Sequence, residues 1–438
     1  MKNEQMNLEH LWMPFSANRD FKSKPRLMNA ANGLYYQKPD GSPVLDGTAG
    51  LWCCNAGHGH EKIVTAIQEQ AAKMDFGPSF QLGHPLAFKA AERLLKLAPS
   101  DDFQYAFFTN SGSEAVDTAL KISMAYQQHI GHTEKTMIIG RERAYHGVGF
   151  GGITAGGLPS NKKYFTLLPG FDHICHTHDL EHNAFSKGEP SWGKHLADDL
   201  ERVIEKHGAD TIAAFITEPV AGSTGILVPP KGYLKRIREI CDTHNILLIF
   251  DEVITGFGRL GTPFAAQYFD VEPDMITCAK GLTSGTVPMG AVMVKKGIYD
   301  AFQQGDAKAI DLFHGYTYSA HPLAAAAALA AIDVYSEDGL IDRAADMASY
   351  WEDAMHSLRG VGSIIDIRTI GLMAGIEMEA RDGKVGARGY DVFTDAFHEQ
   401  GLLIRITGDT VALSPPLIIE KEHIDQIVEI LRKIIPNH

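Results

Sequence analysis

The middle of the chain alternates short apolar runs with amphipathic stretches, and this alternation limits the fold more than any other feature. Six of the runs have strand length, and they lie at 105–109, 136–139, 212–217, 246–250, 275–279 and 290–294. Strands that alternate with helices form mostly parallel sheets covered by helices. The sequence therefore predicts an α/β fold, in which residues 61–330 form a large domain around such a sheet.

Beyond this region the pattern changes. The alanine-rich stretch at 320–331 predicts a buried helix, because it is apolar all round but too short to cross a membrane. A longer helix is expected over 336–357. It is followed by short strands near 364–367 and 374–377 and by a helix near 391–400. Short strands mixed with helices predict an α+β arrangement for this part of the chain.

Two neighbouring apolar runs end in residues of opposite charge. Asp251 and Glu252 follow the run at 246–250, and Lys280 follows the run at 275–279. In open α/β sheets the carboxyl ends of the strands form the ligand site, so both side chains are expected in one pocket. A lysine that forms a Schiff base and an aspartate on the pyridinium nitrogen are what a protein supplies to pyridoxal phosphate. A buried Asp251–Lys280 ion pair is the alternative that these residues alone leave open.

A turn of small residues predicts a phosphate site. Residues 110–113 (Asn-Ser-Gly-Ser) stand between a strand-like run and an amphipathic helix. The free N–H groups and the positive dipole end of a helix start bind anions, and Ser111 and Ser113 add hydroxyl donors. The same residue types also cap helices without any ligand. We prefer the phosphate site, because Asp251 and Lys280 already indicate a phosphorylated cofactor.

The composition disfavours several classes of protein. The net charge of −14 makes nucleic acid and anionic membranes poor partners. No apolar run is long enough to span a membrane, and the residues MKNEQMNLEHLW contain no apolar segment typical of an export signal. The five cysteines are odd in number and scattered, which is typical of reduced thiols. We therefore expect a cytoplasmic protein.

Three further patterns point to other ligands. Residues 256–261 match a dinucleotide fingerprint, but Pro263 interrupts the helix that this motif requires, so a nicotinamide oxidoreductase is disfavoured. The glycine-rich stretch at 147–152 has no P-loop lysine. The histidines, cysteine and aspartate between 173 and 182 match no standard zinc spacing. We expect a polar, partly exposed loop there and no metal site.

Several long motifs, in order along nearly the whole chain, carry a family resemblance. They are HLWMPFSANR, AGLWCCNAGHGH, FTNSGSEA, AYHGV, EPVAGSTGILVPPKGYL, FDEVITGFGR and FHGYTYSAHP. The chain thereby resembles the class III (omega) aminotransferases, which are fold-type-I pyridoxal phosphate enzymes. The WMPFSANR, LWCC and FQLGHP stretches most resemble the omega-amino acid:pyruvate (beta-alanine:pyruvate) group. The resemblance also implies that residues 1–60 and 331–438 form one smaller α+β domain.

The resemblance implies roles for the residues that match these motifs. Lys280 would hold the cofactor and transfer the proton, and Asp251 would keep the pyridine nitrogen protonated. Val253, on the same side of a continuing strand as Asp251, would pack on one ring face and Tyr145 on the other. Glu218 would brace the hydrogen-bond network of the pocket. The implied phosphate site comprises Ser111, Gly112, Ser113 and, from the neighbouring subunit, Thr317.

Substrate recognition is implied for four residues. Trp52, Phe80 and Tyr145 would line the pocket, and Arg405 would bind the carboxylate of pyruvate through its fork. An Arg405–Asp409 ion pair is the alternative. The expected protein is a homodimer with composite sites, or a tetramer, that transfers an amino group from an omega-amino acid or amine to pyruvate. A related enzyme that uses 2-oxoglutarate, such as a 4-aminobutyrate transaminase, or an aminomutase remains the alternative.

Overall fold

The computed structural model describes residues 6–438, and its largest element is a seven-stranded sheet. Residues 1–5 lie outside the described residues. The predictions about an export signal and about the 1–60 segment therefore stay predictions for these five residues. The strands are β1 (Ala30–Asn32), β2 (Tyr35–Gln37), β3 (Pro43–Asp46), β4 (Phe103–Thr109), β5 (Met137–Arg141), β6 (Phe171–Ile174), β7 (Ile212–Thr217), β8 (Leu247–Asp251), β9 (Met275–Cys278), β10 (Gly290–Lys295), β11 (Ile364–Ile370), β12 (Met373–Met378), β13 (Leu402–Leu403), β14 (Arg405–Thr407) and β15 (Thr410–Leu413).

The central sheet has the strand order β4-β10-β9-β8-β7-β5-β6. Strand β10 runs antiparallel to both of its neighbours, and the other neighbouring pairs are parallel. The predicted α/β fold with a mostly parallel sheet is therefore confirmed. Strand β6 was not predicted. The predicted loop at 173–182 is therefore wrong for residues 173 and 174, which belong to this strand. The segment Phe-Asp-His-Ile has too little apolar character to be recognised, because an edge strand pairs on one side only.

Consecutive residues of the central strands are buried in two different cores. Ile138 and Ile249 pack on one side of the sheet, whereas their neighbours Ile139 and Phe250 pack on the other. Side chains alternate between the two faces of a strand, so a sheet covered on both faces needs apolar residues at every position. This double burial explains why the strands appear in the sequence as uninterrupted apolar runs.

Helices cover both faces of the sheet and connect its strands. They are α1 (Asn18–Ser23), α2 (Ala49–Trp52), α3 (Glu61–Lys73), α4 (Pro85–Leu95), α5 (Gly112–His129), α6 (Phe150–Ala155), α7 (Pro159–Lys162), α8 (Leu180–Asn183), α9 (Asp199–His207), α10 (Tyr233–Thr243), α11 (Ala265–Phe269), α12 (Lys296–Phe302), α13 (Pro322–Glu337), α14 (Leu340–His356), α15 (Ala387–His398) and α16 (Lys421–Ile434). The alanine-rich stretch forms the buried helix α13, as predicted. The helix expected over 336–357 begins later, at Leu340, because Gly339 adopts a left-handed conformation between the two helices.

Two smaller sheets lie outside the central one. The first has the order β1-β2-β3-β13, and its parallel pairing of Leu402 with Leu45 joins the two ends of the chain. The second has the order β11-β12-β15-β14. The domain boundaries at residues 60 and 330 remain predictions. Among the helices of residues 6–438, none combines the length and the apolar character that a bilayer crossing requires.

Candidate active site

The carboxyl ends of β8 and β9 bring Asp251 and Lys280 to one cavity of about 160 Å³. Asp251 is the last residue of β8, and Lys280 begins a short 3₁₀ helix that follows β9. The Asp251–Lys280 ion pair that the sequence left open is not formed, and within residues 6–438 the Lys280 amine has no ion-pair partner within 4.0 Å. Both groups therefore face the cavity without neutralising each other through a direct contact.

Asp251 is fixed by three donors from three parts of the chain. His146 Nδ1 lies 2.8 Å from one carboxylate oxygen, and Thr277 Oγ1 and the Val253 N–H each donate to the other at 3.2 Å. His146 is fully buried, and its Nε2 has no hydrogen-bond partner. His146 stands in the AYHGV motif directly after Tyr145, but its contact with Asp251 was not predicted from the sequence. These contacts hold the carboxylate of Asp251 in one orientation.

Lys280 is half-buried and has an unusual backbone conformation. Its φ is 45°, in the left-handed region that costs free energy for any residue but glycine. Burial lowers the pKa of the Lys280 amine, and the negative charge of Asp251 opposes that effect. A lowered pKa increases the fraction of the amine that is neutral at a given pH. The neutral amine is the form that acts as nucleophile and as base.

The N-terminus of α5 forms one wall of the cavity. Gly112 and Ser113 line the cavity, whereas Ser111 caps the helix by accepting a hydrogen bond from the Glu114 N–H at 3.2 Å. A Cβ at Gly112 would lie 2.9 Å from both methyl carbons of Val253, so only glycine allows this close packing. The 18-residue helix therefore directs its first N–H groups and its positive dipole end toward the cavity.

Val253 and Gly147 complete the surroundings of α5. Val253 was expected on a continuing strand, but β8 ends at Asp251, and a turn brings Val253 to the cavity wall instead. Gly147 also lines the cavity, with a φ of 88° and with Ser113 so near that a Cβ would lie 2.4 Å from its Oγ. The Ser113 Oγ accepts a hydrogen bond from the Val148 N–H at 3.1 Å. The glycine-rich stretch is thus shaped to pack against the start of α5.

Glu218 and Tyr145 also line the cavity. The buried Glu218 accepts a hydrogen bond from the Tyr145 N–H at 2.8 Å, and burial raises its pKa to about 7. Burial also raises the pKa of the half-buried Tyr145. The phenol therefore stays neutral at physiological pH and offers an aromatic face to the cavity.

Arg405 lies beside this cavity and has no acidic partner. Its Nε is buried without a hydrogen-bond partner, and no carboxylate of residues 6–438 forms an ion pair with it. The Arg405–Asp409 pair left open by the sequence is wrong, because Asp409 accepts hydrogen bonds from the N–H groups of Gly386 and Gly389 instead. Burial lowers the pKa of the guanidinium. An unpaired buried cation of this kind is suited to binding an anion.

Five of the predicted site residues do not line the Lys280 cavity: Ser111 and Arg405, described above, and Trp52, Phe80 and Thr317. Trp52 is buried, with a left-handed φ of 65°. Phe80 is 59% exposed, and a Cβ placed on Gly315 would lie 2.9 Å from its ring. Thr317, which follows closely, is exposed as well. Phe80 and Thr317 therefore belong to one exposed surface region of the chain, and neither of them lines its own Lys280 cavity.

A second group of charged side chains has the composition of a metal site. Ligand atoms of His178, Asp366 and Glu377 lie within 4.8 Å of one another. However, the guanidinium of Arg368 contacts both carboxylates, with Glu377 at 2.6 Å. Burial alone would raise the pKa of Glu377, but the hydrogen bond from His178 and the charge of Arg368 lower it to about 2. The negative charge is thus already neutralised by protein groups.

The cavity residues fit pyridoxal phosphate. Lys280 presents an amine without an ion-pair partner, Asp251 presents a fixed carboxylate, and the N-terminus of α5 presents free N–H groups to an anion. Gly112 and Val253 both line this cavity and pack closely against each other. Each recognisable part of the cofactor therefore has a matching group among these residues.

Comparisons with known proteins agree over nearly the whole chain. The profile of the family described as Aminotransferase class-III matches residues 16–435. The chain is 58% identical to an omega-aminotransferase of Caulobacter vibrioides over 98% of both chains. It is 45% identical to a Beta-alanine--pyruvate aminotransferase of Pseudomonas aeruginosa, covering 98% of this chain and 95% of that one. A solved omega transaminase from Pseudomonas jessenii in complex with PMP has a TM-score of 0.90 and 31% identity, covering 98% of both chains.

Proposed function

The chain belongs to the class-III aminotransferase family, and we propose that it transfers an amino group from an omega-amino acid or amine to pyruvate. It is an aminotransferase that uses pyridoxal phosphate. The products would be L-alanine and an aldehyde or oxo acid. The observation that carries the proposal is the guanidinium of Arg405, which forms no ion pair within residues 6–438 and whose charge acts on Lys280 and Tyr145. The names of two relatives, the omega-aminotransferase of Caulobacter vibrioides and the Beta-alanine--pyruvate aminotransferase of Pseudomonas aeruginosa, support it.

In this proposal the residues of the cavity divide the chemistry among them. Pyridoxal phosphate would supply an aldehyde carbon that takes up the amino group and a ring that accepts the electrons of the substrate carbon. Lys280 would hold the cofactor through its amine and would move the proton at the substrate carbon. Asp251, oriented by His146 at 2.8 Å, keeps the ring nitrogen protonated. The start of α5 binds the phosphate through Gly112 and Ser113.

The remaining predicted residues would shape and support the pocket. Tyr145 and Val253, which both line the cavity, would cover the two ring faces, and Glu218 would hold the backbone of Tyr145 in place. Ser111 would act through its cap of α5 rather than through a hydroxyl on the phosphate. Trp52 would limit the space on the substrate side.

Arg405 would explain how one pocket accepts two unlike substrates. Pyruvate has a carboxylate next to its reacting carbon, whereas an omega-amino donor has a remote carboxylate or none. A guanidinium binds the first kind through two parallel hydrogen bonds, and its long stem allows it to move aside for the second. Because Arg405 has no ion pair to break, this movement costs little free energy.

A panel of donors and acceptors tests the proposed substrate class. Purified protein loaded with pyridoxal phosphate is incubated with beta-alanine or 1-phenylethylamine, and with either pyruvate or 2-oxoglutarate as acceptor. We expect L-alanine to form from pyruvate with both donors. Formation of glutamate from 2-oxoglutarate alone would instead support an enzyme of the 4-aminobutyrate type. Conversion of a single amino compound without any acceptor would indicate an aminomutase.

We also propose that the working unit is a homodimer, in which Phe80 and Thr317 complete the site of the neighbouring subunit. Both residues lie on one exposed surface region and outside their own chain's cavity. A cytoplasmic location is part of the same proposal, supported by five cysteines that are all free. Mixed Lys280→Ala and Thr317→Ala chains should recover activity, because the heterodimer has one intact composite site. Absence of recovery after verified subunit exchange would contradict the shared site.

A further inference from the structure

A second cavity, of about 510 Å³, has Arg405 in its wall. Its walls come from residues 13–28 near the N-terminus, from 48–51, from one face of α15 and from 403–406. The volume is within the range of small-molecule sites in proteins. Arg26 and Arg405 are its charged residues, and no aspartate or glutamate is part of its wall. The cavity therefore combines an apolar surface with uncompensated positive charge.

Arg26 is held in this wall by aromatic rings rather than by an acid. Its guanidinium carbon lies 5.0 Å from the ring centre of Phe393, 5.4 Å from that of Phe21 and 6.0 Å from that of Tyr390. Cation–π contacts restrict the position of a guanidinium but leave its charge in place. Asp20, the nearby acid, is hydrogen-bonded by the hydroxyl of Tyr390. Among the described residues, no carboxylate forms an ion pair with Arg26.

Arg405 lies in the wall of the larger cavity, and its charge acts on two residues of the Lys280 cavity, Tyr145 and Lys280. It also lies close enough to Tyr145 for its charge to oppose the rise that burial causes in the pKa of that phenol. A molecule whose amino group lies at Lys280 and whose chain enters the larger cavity would pass Arg405. Arg26 is the next positive charge that such a molecule meets.

We propose that Arg26 binds the remote carboxylate of a long omega-amino acid donor, and that it thereby selects such donors over plain amines. This inference rests on the proposed function. The methylene chain of the donor lies against the apolar wall, which includes Phe15 and Leu51. The carboxylate neutralises a guanidinium that has no acid of its own, through a fork-shaped contact that a plain amine lacks. Arg26 is thus a specificity-determining residue.

The experiment compares paired donors that differ only in the terminal carboxylate. The pairs are 6-aminohexanoate with hexylamine and 8-aminooctanoate with octylamine, each with pyruvate as acceptor. For every variant, kcat/KM for the amino acid is divided by kcat/KM for the amine. Arg26→Leu should lower this ratio at least ~10-fold for the better pair, which corresponds to about 1.4 kcal/mol. Arg26→Lys should keep part of the ratio, because it retains the charge but loses the fork.

Two controls separate recognition from structure. Arg19→Leu removes an exposed arginine of the same segment that is not part of the cavity wall, and it should leave the ratio unchanged. If Arg26 only clamps the N-terminal segment through its aromatic contacts, Arg26→Leu will affect the acid and the amine equally, and the inference is overturned. If the wild-type protein forms no alanine from any donor, the proposed function fails, and this inference fails with it.

Discussion

Two groups of buried charges in this molecule are organised in opposite ways. Around the Lys280 cavity, the cations Lys280 and Arg405 form no ion pair with any acid of residues 6–438. In the group formed by His178, Asp366, Arg368 and Glu377, the guanidinium of Arg368 contacts both carboxylates and donates to the Gly225 carbonyl at 2.9 Å. Both groups contain acidic and basic side chains, but within residues 6–438 only the first contains cations that form no ion pair.

This difference shows which of the two groups is prepared for a ligand. An internally paired group has already recovered the free energy lost by removing its charges from water, so a ligand has little to add. A group with unpaired cations regains that free energy only when an anion binds. We therefore expect changes in the first group to affect catalysis, and changes in the second to affect stability.

The largest effect is expected for Lys280→Ala. Removal of the amine takes away both the covalent attachment of the cofactor and the proton carrier, so kcat should fall at least ~10⁴-fold, or about 5.5 kcal/mol. The thermal unfolding temperature should change little, because the amine has no ion pair to lose. Steady-state kinetics and calorimetry on the same preparation check both statements. Turnover near that of the wild type would rule out the role of Lys280.

The second effect is expected in the paired group. Arg368→Leu leaves Asp366 and Glu377 buried without their partner, which should lower the free energy of unfolding by about 3–5 kcal/mol. In the wild type, the depressed pKa of Glu377 supplies stability that is present above about pH 4.5 and is lost as the pH falls toward 2. This acid dependence should weaken in the variant. Denaturant titrations at several pH values measure it, and a selective loss of kcat in folded Arg368→Leu would break the comparison.

The third effect is expected for Asp251→Asn, which keeps the shape of the side chain but removes its charge. The ring nitrogen of the cofactor would no longer be held protonated, so kcat should fall at least ~10²-fold, or about 3 kcal/mol. Affinity for the cofactor should change less than kcat, because the phosphate is bound elsewhere. A change in kcat of only two- or threefold would show that the carboxylate serves the structure, like Asp366.

The smallest effect is expected for Arg405→Ala. The KM for pyruvate should rise at least ~10-fold, or about 1.4 kcal/mol, because the carboxylate loses its partner. Activity with 1-phenylethylamine and an aldehyde acceptor should be retained much better, since neither substrate has a carboxylate. Equal losses with both substrate pairs would place Arg405 with the structural charges.

The sequence was most informative where burial or chain geometry leaves little choice. The central strands could be predicted because both of their faces are buried, which requires apolar residues throughout. Asp251 and Lys280 could be placed together because β8 and β9 are parallel neighbours, with Asp251 paired to Thr277. The edge strand β6 and the turn that carries Val253 lack such a constraint, and both were missed.

Contacts between distant segments could not be predicted in the same way. His146 lies 105 residues before Asp251, and no local pattern indicates their hydrogen bond. Whether an arginine is paired depends on which acids the fold brings to it. The sequence offered Asp409 as a partner for Arg405, but two backbone N–H groups occupy that carboxylate. Arg26 was not recognised for the same reason, because its contacts are with aromatic rings of α1 and α15 rather than with an acid nearby in the sequence.

The central claim is that Lys280 holds pyridoxal phosphate in the cavity at the ends of β8 and β9. The most direct test is to reduce the yellow protein with borohydride, digest it and locate the attached cofactor by mass spectrometry. If Lys280 carries the cofactor, the added mass will be found on the peptide that contains Lys280. The added mass will be absent when an amine donor has first bleached the yellow colour. Attachment to another lysine, or a colourless protein without attached cofactor, would contradict the account.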